Sequence, residues 1–419
     1  MSGATLRVLY VSDSLPFPTD VGGPQRTNLL VRALGRCAAV DALLLVDWPT
    51  LAPGVREAVT ACFNRIETVT PTPRGQFGPW RAIRPLHPRL VDRLAHNLGS
   101  RLVDLSPDPR VVAARHRLEG GRPYDLCVGR YLRPAARAGL TEVGPSILDI
   151  DDLETSVYES RLESARGAAE RWLLRRHIRA LRELLPLLHA RFAHLWIAAE
   201  NDRAAVAAHP SVSVLPNIPF QAHDDPIEPL PPPGPSEAIL VVASWHYGPN
   251  RRGLDRFLSR VWPRVRSQCP AATLRVVGSR MSETDRARWA AAPGVEVVGR
   301  VEDLRDAYAA CAFAVAPVYE GGGTKIKVLE TLALGRACVV TDHAWRGYEG
   351  VLLDREGIMV GRDDEGLASA CIELLRDRPL RDRLARRGGE LVRARFSWQA
   401  ICDEVRRAAL RTIAGTDER

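Results

Sequence analysis

The 419-residue chain contains only two lysines, Lys325 and Lys327, although it carries 58 Lys and Arg together; 58 − 2 leaves 56 arginines. Both lie in the stretch Glu320-Gly321-Gly322-Gly323-Thr324-Lys325-Ile326-Lys327-Val328-Leu329-Glu330. Lysine is a compact, strongly hydrated point charge on a flexible stem, whereas arginine is a planar fork. Three glycines and Thr324, a fair N-cap, lead into an apolar-periodic run that ends at Leu334-Gly335, which predicts a helix with both lysines in its first turn. A helix start is the positive end of the dipole and disfavours cations unless an anion is present. Glycine-flanked helix starts are anion sites, so this pattern offers phosphate capture. The alternative is a pair of solvated surface charges. Glu330, three residues after Lys327, shares its helix face. It either accepts hydrogen bonds from both hydroxyls of a ribose, like the acidic residue of dinucleotide folds, or forms a simple ion pair with Lys327.

The elements that must position these groups follow from hydrophobic pattern. Short Val-, Ile- and Leu-rich runs alternate with longer helical patterns, the mark of parallel, doubly wound sheets. In the first half, strands are expected at 6–11, 41–47, 66–70, 124–129, 146–150, 194–198 and 212–215, with a long charged helical stretch at 153–191 that ends or kinks near Pro186. The proline-dense piece from Asn217 to Pro235 excludes helix and central strand and reads as a stiff linker. A second alternation follows, with strands at 238–243, 273–277, 295–298, 312–316 and 337–341 and helices near 365–376, 379–394 and 398–413. Two α/β domains with a cleft are therefore expected: 1–217, a linker at 218–237, and 238–395, with 396–419 as a terminal helix. Ligands in such sheets bind beyond the carboxyl ends of the strands.

Composition narrows the class. An apolar content of 46% with 26% charged residues suits a large globular core. A net charge of +8 favours anionic partners: nucleotide sugars, nucleic acid or an acidic membrane surface. The eight cysteines include no CxxC pair, so free thiols in a reducing compartment are expected rather than disulfides or a zinc site. The ten histidines form no metal-binding pattern. No signal peptide is visible and no apolar run approaches the ~18–20 residues of a spanning helix. The expectation is a cytoplasmic protein. Arg171, Arg175, Arg179 and Arg182 fall on one helical face that either meets anionic lipid at the membrane's inner surface or is simply solvated, diluted by Glu163, Glu170 and Glu183.

The segment Gly322-Gly323-Thr324-Lys325-Ile326-Lys327-Val328-Leu329-Glu330, continuing through Leu332-Ala333-Leu334-Gly335-Arg336-Ala337-Cys338-Val339-Val340-Thr341, resembles the donor-site signature of retaining GT-B glycosyltransferases of family 4. Val21-Gly22-Gly23, Asp149-Ile150-Asp151-Asp152, Val214-Leu215-Pro216-Asn217, Ala243 to Asn250, Val276-Val277-Gly278 and Phe396-Ser397-Trp398 fit in the expected order. The resemblance implies two Rossmann-like domains facing a cleft, with the terminal helix packing back on the first. It implies that Lys325 and Lys327 neutralise the donor diphosphate and Glu330 holds the nucleotide ribose. Tyr319, Glu320, Gly321, Gly322, Gly323 and Thr324 would line the donor, with Gly22 and Gly23 amides approaching its phosphates. Donor binding would need no metal and no further cofactor.

Three departures matter. The commonest form has a glutamate eight positions before Glu330, where this chain has Gly322, so the donor-sugar contact is missing or comes from Glu320. The usual Arg and Lys after the first strand of the second domain are replaced by Ser244 to Arg252; Arg251 is the candidate cation, or an ordinary helix-start residue. A His after the fourth strand is replaced by Gly129-Arg130-Tyr131. Arg130 then binds an anionic acceptor or is a surface arginine, and Asp149, Asp151 and Asp152 either face the acceptor or cap the following helix. The leading expectation is a hexosyltransferase that moves a sugar from a nucleoside diphosphate sugar to a hydroxyl of a glycan, lipid-linked or small-molecule acceptor, with retention, in cell-surface polysaccharide or glycoconjugate synthesis. A nucleotide-sugar epimerase of the same fold and a basic nucleic-acid-binding protein are the alternatives; the scattered arginines lack an aromatic-basic platform and speak against the last.

Overall fold

The computed structural model describes residues 6–19, 22–71, 105–151, 153–165, 167–219, 227–321 and 323–417. They divide into two compact units, one formed by Met1–Leu215 with Ile401–Arg419 and the other by Pro216–Ala400.

The first unit is built on seven parallel strands: β1 (Leu6–Ser12), β2 (Ala38–Leu44), β3 (Arg65–Thr68), β4 (Leu126–Arg130), β5 (Ser146–Ile150), β6 (His194–Ile197) and β7 (Val212–Val214). Their spatial order is β3-β2-β1-β4-β5-β6-β7. The second unit has six, β8 (Ala238–Val242), β9 (Thr273–Val277), β10 (Val295–Gly299), β11 (Phe313–Ala316), β12 (Cys338–Thr341) and β13 (Met359–Gly361), in the order β10-β9-β8-β11-β12-β13. Both sheets are doubly wound, and the direction of winding reverses between β1 and β4 and again between β8 and β11. Crevices at such reversals, beyond the carboxyl ends of the strands, are where this architecture accommodates ligands. Central strands such as β4, β5 and β11 are buried on both faces, which is why they read as continuous apolar runs rather than alternating ones.

Each of the twelve strands expected from the sequence is present, and β13 is added. It is three residues long and ends on Gly361, too short to leave a periodic signal. The 153–191 stretch is two helices, Glu154–Ser164 and Ala168–His189, separated where Gly167 takes an extended conformation. The second helix ends at His189, three residues after Pro186, as expected; Pro186 lies within its last turn, where it has no N–H to give to the ladder. The proline-rich segment is not a free spacer over its described part. Leu230 N–H donates to the Leu334 carbonyl, Arg336 to that of Pro231 and Arg378 to that of Pro233, which fastens residues 227–237 onto the second unit. All eight cysteines are free, with Cys127, Cys311, Cys338 and Cys371 buried. No helix among the described residues is long and apolar enough to cross a membrane.

At the winding reversal of the first unit lies a buried ionic network. Asp149, at the end of β5, accepts from Arg26 at 2.6 Å and from Arg130 at 2.7 Å, and all three side chains are fully buried. Arg130 also reaches Asp151 at 3.0 Å and donates to the Gly23 carbonyl at 3.2 Å, while Arg26 donates to the Leu215 carbonyl. Burial works against a charge on Arg130, but Tyr131, Asp151 and Asp149 around it hold its pKa well above the ordinary value. Deleting one partner of such a cluster strands uncompensated charge. Asp149→Ala, which leaves two buried guanidinium groups facing one another, is expected to cost about 3–5 kcal/mol in denaturant unfolding. An effect below about 1 kcal/mol would mean that the cluster does not hold the strand ends together.

Candidate active site

The loop after β11 runs Pro317-Val318-Tyr319-Glu320-Gly321, passes residue 322, and continues Gly323-Thr324-Lys325 into the helix Ile326–Ala333. Gly321 at φ 100° and Gly323 at φ 68° occupy left-handed conformations that side chains with a Cβ rarely adopt, so the glycines make the turn possible. Gly322, expected in the site, lies outside the described residues, as does Asp152 on the first unit.

Across the winding reversal, β8 is followed by Ala243–Tyr247 and the helix Gly248–Arg256. This helix approaches the β11 loop closely: a Cβ on Gly253 would lie 2.0 Å from the Pro317 carbonyl oxygen, and one on Gly321 would lie 2.7 Å from the Tyr247 hydroxyl. Arg252 pairs with Glu320, and Arg256 stacks over the Tyr319 ring at 4.2 Å. The two halves of the sheet thus meet at one loop.

Thr324 is not the N-cap. The helix begins at Ile326, Lys325 occupies the capping position with its ammonium on the Gly323 carbonyl, and only Lys327 lies in the first turn. Thr324 instead accepts a hydrogen bond from Asn217 at 3.0 Å. Lys327 directs its ammonium to Asn250 Oδ1 at 2.8 Å and forms no ion pair among the described residues. Burial of the ammonium, reinforced by the Lys325 charge, lowers its pKa from the usual 10.5 to about 7. The Lys327–Glu330 surface pair considered from the sequence is therefore absent. Glu330 is only 8% exposed and accepts from the Tyr308 hydroxyl at 3.4 Å, and Thr331 bridges back to the same hydroxyl at 3.2 Å.

His343, just after β12, had no sequence signal. Its Nε2 lies 2.9 Å from the Gly321 carbonyl, which can only accept, so Nε2 carries the proton. Burial and the Lys325 charge press its pKa down to about 4, so the ring is neutral at pH 7 and acts as a fixed strut for the loop.

Several expected roles change. Arg251, the sequence's candidate cation, turns to Asp285 at 3.6 Å with its side chain 44% exposed, and its neighbour Arg252 reaches the glycine loop instead. Residue type and spacing offer no basis for choosing between adjacent arginines at a helix start. On the first unit, Asp149 and Arg130 are neither acceptor-facing nor a helix cap and a surface cation; they neutralise each other in the interior. Asp151, 6% exposed, belongs to the same cluster. Gly22 and Gly23 open the helix Gly22–Gly35, and Gly23 is tied to the cluster through its carbonyl. The structure therefore gathers Tyr319, Glu320, Gly321, Gly323, Thr324, Lys325, Lys327 and Glu330 at the reversal of the second sheet, and Arg130, Asp149, Asp151 and Gly23 at that of the first.

Residues 236–377 match the family model described as glycosyl transferases group 1. No curated protein sequence matches the chain. Among solved structures, the chain resembles sucrose-phosphate synthase from Thermosynechococcus elongatus, with a TM-score of 0.66 at 16% identity over 98% of this chain and 100% of the other. It resembles a glycosyltransferase from Rickettsia africae equally well, with 0.66 at 11% identity over 98% and 99% of the two chains. HepE of Anabaena in complex with UDP and glucose gives 0.59 at 12% identity over 96% and 98%. The chain has the α/β GT-B fold, and residues 236–377 within its second unit match the glycosyl transferases group 1 model.

Proposed function

We propose that this protein is a retaining glycosyltransferase of family 4, moving a sugar from a nucleoside diphosphate sugar to a hydroxyl acceptor without a metal. The observation that carries the reading is Lys327: an ammonium at a helix N-terminus, beside left-handed glycines and without a carboxylate partner among the described residues. Such a group is stabilised by an arriving anion and by little else. HepE is named in complexes with UDP, with UDP and glucose and with UDP-glucose, which supports a nucleotide-sugar donor.

Cleaving the sugar–phosphate bond leaves a nucleoside diphosphate, so the groups that count are those facing the departing oxygens. Lys327, Lys325 and the amides at the helix start supply positive charge there, and Glu330 receives the ribose hydroxyls. Arg252 takes the place in the site first considered for Arg251, holding Glu320 against the loop. The leaving phosphate oxygen takes the acceptor's proton as the hydroxyl attacks from the same face. The role is in the synthesis of cell-surface polysaccharide or glycoconjugate, in the cytoplasm.

Peripheral attachment to an anionic membrane draws support from the helix Ala168–His189. Leu174, His177, Ile178, Leu181 and Leu185 bury one face, while Trp172 is 58% exposed on the other, with Arg176 over its ring at 5.8 Å. Arg171, Arg175 and Arg179 share that exposed side, and Arg182 there is paired with Glu159 at 2.7 Å. An indole among arginines is the composition of a helix lying on a lipid surface.

Lys327→Ala is expected to lower turnover at least ~100-fold, the scale of losing one oxyanion contact, in an assay of nucleotide-sugar consumption with acceptor. An unchanged rate sinks the mechanism, and product formed without acceptor would point to epimerisation instead. In a thermal-shift panel, the cognate nucleoside diphosphate at 100 times its dissociation constant should add ~2.7 kcal/mol of stability, and no shift with UDP, GDP or ADP would refute the donor assignment. Trp172→Ala combined with Arg175→Glu and Arg179→Glu should cut co-sedimentation with phosphatidylglycerol vesicles at least tenfold, given about 1 kcal/mol per arginine near an anionic surface. Equal sedimentation of native and variant protein would leave this helix as a solvated face.

A further inference from the structure

Asn250, the third residue of the helix Gly248–Arg256, makes two hydrogen bonds that fix its amide. Its Nδ2 donates to the Ser244 carbonyl at 3.0 Å, and its Oδ1 accepts from the Lys327 ammonium at 2.8 Å. Reversing the amide would set oxygen against a carbonyl and N–H against an ammonium, two clashes of like polarity. The oxygen therefore faces the lysine by necessity. Among the described residues, the other groups bearing on Lys327 are Lys325 and Glu330 on its own segment and the Cys338 thiol of β12. Burial pushes that thiol up to about 12, so it is uncharged, and Glu330 is turned toward Tyr308. Lys327 is thus anchored by a neutral acceptor, repelled by Lys325 and attracted by the Glu330 carboxylate without forming an ion pair with it.

We propose that Asn250 is a positioning residue for the donor site: it aims the Lys327 ammonium without adding a counter-charge of its own, so that the phosphates of the donor become its ion-pair partner. This rests on the reading of the site as a nucleoside diphosphate site. The consequence concerns protons. With its pKa near 7, Lys327 in the free protein is largely neutral above that pH. A bound diphosphate favours the charged form and raises the pKa. Binding therefore takes up a proton, and affinity falls by up to tenfold per pH unit between pH 7 and the pKa of the bound state. Above pH 7 the phosphate, with a second pKa of about 6, no longer changes charge, so the slope belongs to the lysine.

Because the chain has only two lysines, the test can read Lys327 directly. Protein labelled with ¹³Cε-lysine should show two signals, assigned with the Lys325→Arg variant. One is expected to titrate near pH 7 in the free protein and above pH 9 when saturated with the nucleoside diphosphate, UDP, GDP or ADP, that binds. In Asn250→Asp the fixed carboxylate should raise the free titration by at least one pH unit, weaken the nucleotide at pH 7.5 at least tenfold and flatten the pH dependence of its binding. Asn250→Ala, which adds no charge, should keep that slope while lowering affinity, and its melting curve shows whether the fold survives. A Lys327 signal near pH 10.5 in the free protein, or one that nucleotide does not move, overturns the inference while leaving nucleotide binding intact. Native protein that binds none of the three nucleotides overturns the inference and the proposed function together.

Discussion

A buried positive charge normally brings its own counter-ion, because an ion taken out of water is costly unless paired. Lys327 has no ion-pair partner among the described residues, only the more distant charge of Glu330, and the construction around it depends on that exception. The helix must begin at Ile326 rather than earlier, or the ammonium would leave the first turn, and this start requires Gly321 and Gly323 to turn left-handed before it. The opposing helix must come near enough for Asn250 to touch the lysine, which requires Gly253 to sit against the Pro317 carbonyl where no side chain fits. His343 holds the Gly321 carbonyl and Asn217 holds Thr324, so the loop is braced on both sides of residue 322. Each brace is a neutral group. None adds the negative charge that would relieve the lysine.

The two sheets share one topology and treat its weak point in opposite ways. Both reverse their winding next to the first strand of the unit, where two crossovers part and a crevice opens. In the first unit that position is occupied from within: Arg26 and Arg130 meet Asp149 and Asp151, charge balances charge, and the Gly23 carbonyl is drawn into the cluster. In the second unit the equivalent position keeps a lysine anchored by an amide. A balanced cluster stabilises a scaffold but has little left to offer a ligand. The unbalanced one has the reverse property, and this contrast localises the proposed phosphate chemistry more firmly than any motif.

What the sequence revealed, and what it hid, follows the range of the interactions. Strands were legible because burial on both faces leaves continuous apolar runs, and the loop before Ile326 because two lysines among 56 arginines stand out. Local backbone chemistry was legible only approximately: Thr324 has the composition of a cap, yet its hydroxyl is taken by Asn217, 107 residues away. Contacts at such separations set the rest. His343 carries no signal of its own and Asn250 only its place at the end of the Ala243–Asn250 segment, and their roles exist only once β8, β11 and β12 lie side by side. Asp149 and Arg130 misled for the complementary reason. Charged residues are seldom fully buried, so a reading from residue type sends both to the surface, whereas four mutually neutralising groups can go inside together.

The choice of lysine at 327, in a chain that otherwise uses arginine, then has a physical sense. Arginine stays protonated under any condition a protein meets, so burying it without a partner would carry the full cost of a desolvated charge. A lysine can release its proton, and at about 7 its pKa lies where the free site sheds much of that cost by becoming neutral. In the proposed site the charge returns when a phosphate arrives to hold it. An arginine in this place would bind anions of any kind at any pH and would need a carboxylate beside it while waiting. Lysine needs only Asn250. On the proposed reading, the lysine at 327 stands where a removable proton, rather than a permanent cation, is wanted.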